Sequence, residues 1–428
     1  MKIVVQFEKN NKKEKLILIP EKNLVTGIKD FRKRYGEPSS IEHDMLNLAS
    51  TVYASDLANK RGERENFSRN FEINLPVINY QLFNNLRENL ENLLYNLTDD
   101  NWNFTFTKQT KKNDLDIKFK AKDGVTLLFS GGLDSLSAAV YLLNSYNSIS
   151  FVSHITHNMV IKEAQQDLYS YLKKVNNKIT RIAVTISGRN IQKHKFPKDT
   201  EREDTQRSRS FMFLCLAALF ARREGNHKII FIGENGQMAI HLPLTASRIG
   251  AFSTRTAHPK FIADITNFLQ TIYSYSFVIE NPFVYKTKAE VVSILVKKYE
   301  DLIPFSISCW RTSRVKGGMK HCGECIPCMV RRIALEHNNI KLNEYYRDIF
   351  NTNLEKLTAD DIGKINLTDL LEFVSWFDGS FSDSEIIENF PGLYSQFFST
   401  SDAVDMYKRF SKEAKNVFFN YPNILKYL

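Results

Sequence analysis

The sequence predicts an α/β protein: a doubly wound parallel sheet, with an N-terminal α+β region before it and a C-terminal helical extension after it. Three observations lead there. From residue 125 onward, short apolar β-prone runs alternate with helical ones, as in parallel sheets with helices on both faces. A glycine-rich turn joins the first of those strands to the first of those helices. Neither residues 1–120 nor residues 336–428 repeat the alternation.

In the central region, strands are expected at 125–129, 149–155, 179–186, 228–232 and 276–279, and helices at 136–143, 161–174, 206–223, 260–273 and 287–299. The third helix closes on Arg222-Arg223-Glu224-Gly225, with basic residues in its last turn and a glycine after it. Ahead of this region stand a hairpin (3–7 and 16–19), a helix at 41–57, a strand at 71–77, a helix at 81–94 and an alternating strand at 101–106. Pro76 cannot donate to a ladder, which places the 71–77 strand at a sheet edge. The polar stretch 108–122 reads as a boundary, giving regions 1–120, 121–335 and 336–428. Residues 187–208 are charged and poor in apolar side chains, and read as either a lid over a nucleotide or a disordered excursion. The last region is helical and aromatic-rich, with a role in packing or partner binding.

Composition narrows the class. The longest apolar run, 211–221, is too short to span a bilayer, and the first residues read as a strand rather than a signal peptide, so a cytoplasmic, non-membrane protein is expected. The net charge of +10 permits a polyanionic partner. Basic residues gather at Lys111-Lys112 and across 311–320, yet acidic residues are interspersed, so nucleic acid is permitted but not favoured.

The turn itself is Ser130-Gly131-Gly132-Leu133-Asp134-Ser135. Two glycines let backbone approach a pyrophosphate closely, and the following helix offers unpaired amides and a positive dipole end. Ser130 and Ser135 add hydroxyl donors, and Asp134 can orient the amides or hold a magnesium ion. A plain capped turn would need no glycine pair.

Of five cysteines, four fall in one short stretch, so a metal site is expected rather than disulfides. Cys309, Cys322, Cys325 and Cys328 can close a four-thiolate zinc site, with no open position for catalysis. An iron–sulfur cluster is the competing occupant. His321 is a substitute ligand, and Cys215 reads as a core residue.

These motifs together resemble a known family. The 130–135 loop resembles the PP-loop of N-type ATP pyrophosphatases. Ser308-Cys309-Trp310, the run Cys322-Gly323-Glu324-Cys325-Ile326-Pro327-Cys328 and Arg331-Arg332 resemble the zinc motif of QueC, the 7-cyano-7-deazaguanine synthases. Arg209, within Gln206-Arg207-Ser208-Arg209-Ser210, matches that family's arginine at the entry to the central helix. Ile232-Gly233-Glu234-Asn235, Asn281-Pro282-Phe283 and Lys286-Thr287-Lys288-Ala289-Glu290 match its later strand ends. The family's Tyr-Gly-Gln after the second strand is replaced by Ile155-Thr156-His157-Asn158-Met159, which leaves open what that strand end binds. QueC enzymes also lack the first and third regions; the longer QueC-like proteins of Qat anti-phage defence systems are the more similar group.

The resemblance implies a PP-loop (adenine nucleotide alpha hydrolase-like) fold that uses ATP with Mg²⁺ and carries structural Zn²⁺. It implies that 7-carboxy-7-deazaguanine attacks the α-phosphate, and that an amine then displaces AMP. Ser130, Gly131, Gly132, Leu133, Asp134, Ser135 and Gly233 would bind nucleotide, with Asp134, Ser135, Arg209 and Lys286 acting at the phosphates. Trp310 would stack on a deazapurine or pack in the core. The amine would be ammonia or belong to a partner protein from the same defence operon. A tRNA-modifying PP-loop enzyme and a catalytically silent scaffold are the alternatives.

Overall fold

The computed structural model describes residues 1–9, 12–62, 67–110, 123–225, 227, 229–242 and 255–428. Lys111-Lys112, most of the 108–122 boundary and the first residue of the 228–232 strand lie outside the described residues.

The N-terminal region opens with the hairpin β1 (Ile3–Lys9) and β2 (Lys12–Leu18), paired from Ile3↔Leu18 to Lys9↔Lys12. There follow β3 (Leu24–Val25), α1 (Ile28–Tyr35), α2 (Ser40–Ala58), β4 (Asn70–Val77), α3 (Tyr80–Asn85), α4 (Arg87–Thr98) and β5 (Asn101–Lys108). The sheet order is β2-β1-β4-β5, with β4 and β5 parallel across the α3–α4 crossover. Alternate residues of β4 and β5 are buried, as their period-two pattern predicts. The β4 strand is internal, contrary to the edge expected from its proline. Its ladder to β1 runs only from Phe71 to Asn74, so Pro76 lies past the end of that pairing. The helix expected at 81–94 is two helices, broken at Leu86.

In the central region come β6 (Val125–Leu128), α5 (Leu133–Leu143), β7 (Ile149–His154), α6 (Met159–Val175), β8 (Ile179–Val184), β9 (Ser187–Gly188) and α7 (Arg209–Arg223). They are followed by β10 (Ile229–Phe231), α8 (Gly236–Ala239), α9 (Pro259–Tyr273), β11 (Val278–Glu280), α10 (Lys288–Ser293) and α11 (Ile326–His337). The five-stranded sheet has the order β11-β10-β6-β7-β8, and every pairing in it is parallel. The chain winds outward from β6 to β8, then returns to place β10 on the other side of β6. Reversal of direction between β6 and β10 opens a crevice at their carboxyl ends, where such sheets bind ligands. Side chains of α5, α6 and α10 cover one face. On the other face, α7 and α9 share a continuous core with the N-terminal strands and α2.

Residues 187–208 are neither lid nor disordered excursion. Ser187 and Gly188 pair with β3, Phe196 is buried, and the buried Glu203 accepts the Arg61 amide at 2.8 Å. The segment packs on the N-terminal region instead of over the crevice. A buried ion network fixes its end: Arg69 pairs with Asp56 and Asp100, and Asp56 accepts both the amide and hydroxyl of Ser208. Ser208 precedes α7, so this network sets where Arg209 stands.

The C-terminal region consists of α12 (Ile362–Asp378), α13 (Asp383–Asn389), α14 (Thr400–Phe418) and α15 (Pro422–Leu425). Its aromatic-rich core takes in Met329 and Ile333 of α11, so it packs directly on the central region. No helix among the described residues is long and apolar enough to cross a membrane.

Helix α14 also reaches the head of α10. The Thr287 hydroxyl, which caps α10, donates to Glu413 at 2.8 Å. Burial pushes the Glu413 carboxyl up to about 7, against the help of that hydrogen bond. A carboxyl raised on folding favours the protonated native state. Its contribution is therefore complete below the unfolded value and lost as pH rises through the folded one. Glu413→Gln, which keeps an acceptor for Thr287, should raise the melting temperature at pH 8 and leave it nearly unchanged at pH 4, as differential scanning fluorimetry at the two pH values would read.

Candidate active site

The crevice is built first from the loop after β6. Gly131 has φ +81°, a left-handed conformation that suits glycine, and a Cβ there would come within 2.9 Å of Gln165. The loop is braced from both sides: Gln165 donates to the Ser130 carbonyl at 3.1 Å, and the Ile307 amide donates to the Gly131 carbonyl at 3.0 Å. Ser130 and Ser135 lie 3.2 Å apart through their hydroxyls, and both line the crevice. No side chain caps α5, leaving its first-turn amides for a ligand.

Asp134 is buried and held by one hydrogen bond and one ion pair. Asn235 donates to its Oδ2 at 2.9 Å, and Lys288 Nζ lies 2.7 Å from its Oδ1. Between magnesium ligand and loop anchor, these contacts fit the anchor, and we assign magnesium no protein ligand. They also set Lys288 apart from Lys286. Lys286 is exposed and its backbone carbonyl accepts the Gly236 amide, whereas Lys288 lines the crevice. The reason is the cap: Thr287 starts α10, so Lys288 at the first helical position turns inward while Lys286 precedes the helix. Gly233 lets the end of β10 approach α5, since a Cβ would sit 2.4 Å from that of Ala138.

Glu234, adjacent to Gly233, lines the crevice too. Burial, reinforced by the Asp134 carboxylate, pushes its carboxyl up to about 8 despite Lys288 and Arg209. Arg209 begins α7 and lies over the Phe213 ring, 5.0 Å from its centroid. Its Nε is buried with no hydrogen-bond partner among the described residues; the guanidinium lines neither cavity at the loop, and its charge is felt at Glu234 and His154. At the end of the second sheet strand, His157 is exposed and His154 is buried. His154 Nε2 is bonded to the Ile186 carbonyl, and burial followed by the Arg209 charge pushes it down to about 4. Glu234 and Lys288 stood within quoted motifs, but neither role was readable without the fold that turns them toward Asp134.

The cavity over the loop measures about 270 Å³. Part of its lining is polar, from Ser130, Gly132, Ser135, Glu234 and Lys288. Much of the rest is apolar, and it includes Leu370 and Phe373 of α12 and Tyr407 and Phe410 of α14. The C-terminal extension thus completes the cavity. Trp310 stands at the rim, 61% exposed, which rules out a core role for it.

The four cysteines lie behind the cavity lining, and their chain neighbours Ser308, Trp310, Ile326 and Pro327 face it. All are buried, and their sulfurs lie within 4.8 Å of one another. Cys322 and Cys328 sulfurs are 3.9 Å apart, close to the roughly 3.8 Å edge of a zinc tetrahedron with bonds of about 2.3 Å. The Cys309 sulfur also accepts amides from Arg311 and Cys322. Hydrogen bonding from Cys309 pulls the Cys322 thiol down, and hydrogen bonding to Cys309 pushes Cys328 up. His321 is no ligand here: its Nε2 accepts the Ser308 amide at 3.1 Å, and burial keeps it neutral. Fully buried Arg331 donates to the Ser306 and Ser308 hydroxyls and the Ile303 carbonyl, and pairs with Glu344. It ties the cavity floor at Ile307 and Ser308 to α11 and the cysteine knot.

The family model of the queuosine biosynthesis protein QueC matches residues 124–339, just over half of the 428 residues. The chain belongs to the QueC family. Membership brings the PP-loop α/β fold and ATP-dependent PP-loop chemistry, in agreement with the parallel sheet and the loop at its switch point. The match takes in the loop, Arg209, Glu234, Lys288 and all four cysteines; α12 and α14, which supply apolar lining of the cavity, lie beyond it. No curated protein matches the chain.

Proposed function

We propose that this QueC-family protein adenylates a 7-deazaguanine carboxylate, 7-carboxy-7-deazaguanine, releasing pyrophosphate, and that an amine then captures the acyl-adenylate. The observation that carries this reading is one cavity lined both by the Ser130–Ser135 loop and by the aromatic side chains Phe373, Tyr407 and Phe410. A planar acid seated against Phe373 and Phe410 would present its carboxylate toward the loop.

On this reading, Ser130, Ser135 and the amides at the head of α5 hold the departing pyrophosphate. Lys288 keeps Asp134, and with it the loop, in place. Arg209 neutralises phosphate charge, and Trp310 covers the ring at the rim. This work is positioning and charge stabilisation, as in phosphoryl transfer generally. Zinc, when bound to its four thiolates, supplies folding energy to a loop with little apolar core. A cavity of about 270 Å³ with a partly apolar lining favours a small acid over a tRNA.

The amine is ammonia, giving amide and then nitrile, or belongs to a partner protein. The regions outside the family match support the second, since simple nitrile synthesis needs neither. This arrangement suits the QueC-like proteins of Qat anti-phage defence, acting in the cytoplasm with a partner from the same operon. ATP–pyrophosphate exchange tests the adenylation: exchange should appear only when 7-carboxy-7-deazaguanine is present. Folded protein that exchanges nothing would sink the reading.

A further inference from the structure

We propose that Glu234 is the base that takes the proton from the amine as it captures the acyl-adenylate. The inference rests on the adenylation reading and assigns a separate step within it. Glu234 stands at the carboxyl end of β10, beside the switch point, and lines the cavity over the loop together with Ser130, Ser135 and Gly233. It also lines a smaller cavity of about 70 Å³ that shares Ser130 and Ser135 with the first. It therefore borders two spaces that meet at the loop.

Its neighbours are committed elsewhere. Asp134 is held by Asn235 and Lys288, whereas the Glu234 carboxylate has no hydrogen-bond or ion-pair partner among the described residues. Only its backbone is tied, through the Asn281 side chain. An unpaired carboxylate beside a phosphate-binding loop is unfavourable for nucleotide binding when ionised, which asks for another use. The charged groups facing it are Asp134 from α5, Lys288 from α10 and Arg209 from α7, with His241 elsewhere on the cavity wall.

Chemistry gives that use. Near neutral pH an amine arrives largely as ammonium and must lose a proton to attack. In the capture step the nitrogen lone pair forms the C–N bond, and the C–O bond to the adenylate breaks. Its electron pair leaves on the AMP phosphate; the proton that ammonium sheds before attack passes to Glu234 and then to water, and the second proton, shed by the nitrogen once the C–N bond has formed, goes to water. A carboxyl raised to about 8 by burial and Asp134 is a far better acceptor than an ordinary one. The first step uses an acid that is already ionised and needs no base.

The test separates the two steps in Glu234→Gln. Measured against the variant's own pyrophosphate exchange, ammonia-derived product should fall at least ~100-fold relative to the parent. Hydroxylamine, unprotonated at neutral pH, should still trap the adenylate as hydroxamate at near-parental rate. The break near pH 8 in the parent's capture rate should vanish in the variant. Parallel loss of exchange and capture, or equal loss with ammonia and hydroxylamine, would overturn the assignment. If Glu234→Gln folds poorly, Glu234→Ala should regain capture with added acetate, and failure of acetate to restore it counts against the base. Absence of exchange in the parent strikes the adenylation reading instead.

Discussion

Lys288→Ala should reduce ATP–pyrophosphate exchange at least ~100-fold, while Lys286→Ala should leave it near the parental rate. The two lysines are two residues apart and formally alike, so the pair isolates geometry from charge. Lys288 Nζ is 2.7 Å from Asp134, and both side chains are about nine-tenths buried. Removing one partner of such a pair leaves a carboxylate without compensation, at a cost of roughly 3–5 kcal/mol. That strain falls on the first turn of α5, whose amides are meant for the pyrophosphate. Lys286 is solvated and touches none of this. Radiolabel exchange on both variants, with melting curves alongside, reads the outcome; equal activity in the two would remove Lys288 from the account.

Cys328→Ser should lose the bound metal, lower the melting temperature sharply and abolish exchange together. Structural zinc contributes on the order of 10 kcal/mol to small metal-dependent folds, and this knot sits under the cavity. Cys325 is the N-cap position of α11, Cys328 lies in its first turn, and Arg331 on the same helix pins Ser306 and Ser308. Losing the metal should therefore loosen Ile307, which donates to the Gly131 carbonyl of the loop. Elemental analysis of the parent should return about one zinc per chain and no iron. A brown protein absorbing near 400 nm would instead make the four thiolates ligands of an iron–sulfur cluster.

Much of this site is legible in the sequence, for a physical reason: its parts are local. A glycine pair at a strand-to-helix turn and closely spaced cysteines carry their chemistry wherever the fold places them. That the sheet is parallel follows from the alternation of its strands with helices. What was not legible depends on tertiary approach. Choosing Lys288 over Lys286 required knowing that Thr287 caps α10. Pro76 suggested an edge because sequence does not reveal where the β1 ladder stops. Residues 187–208 look like a lid because polar composition conceals the few anchors, Phe196 and Glu203, that dock them elsewhere. The apolar wall from α12 and α14 has no motif at all; its aromatic residues show their use only when they meet α11 and the loop over one cavity.

The central claim is cleavage of ATP between its α and β phosphates, driven by the acid. Chromatographic analysis of the nucleotide products, with ATP, Mg²⁺, ammonium and 7-carboxy-7-deazaguanine, tests it most directly. The account predicts AMP and pyrophosphate, formed only with the acid and in step with its conversion. Formation of ADP and phosphate, or of AMP at the same rate without the acid, would contradict it.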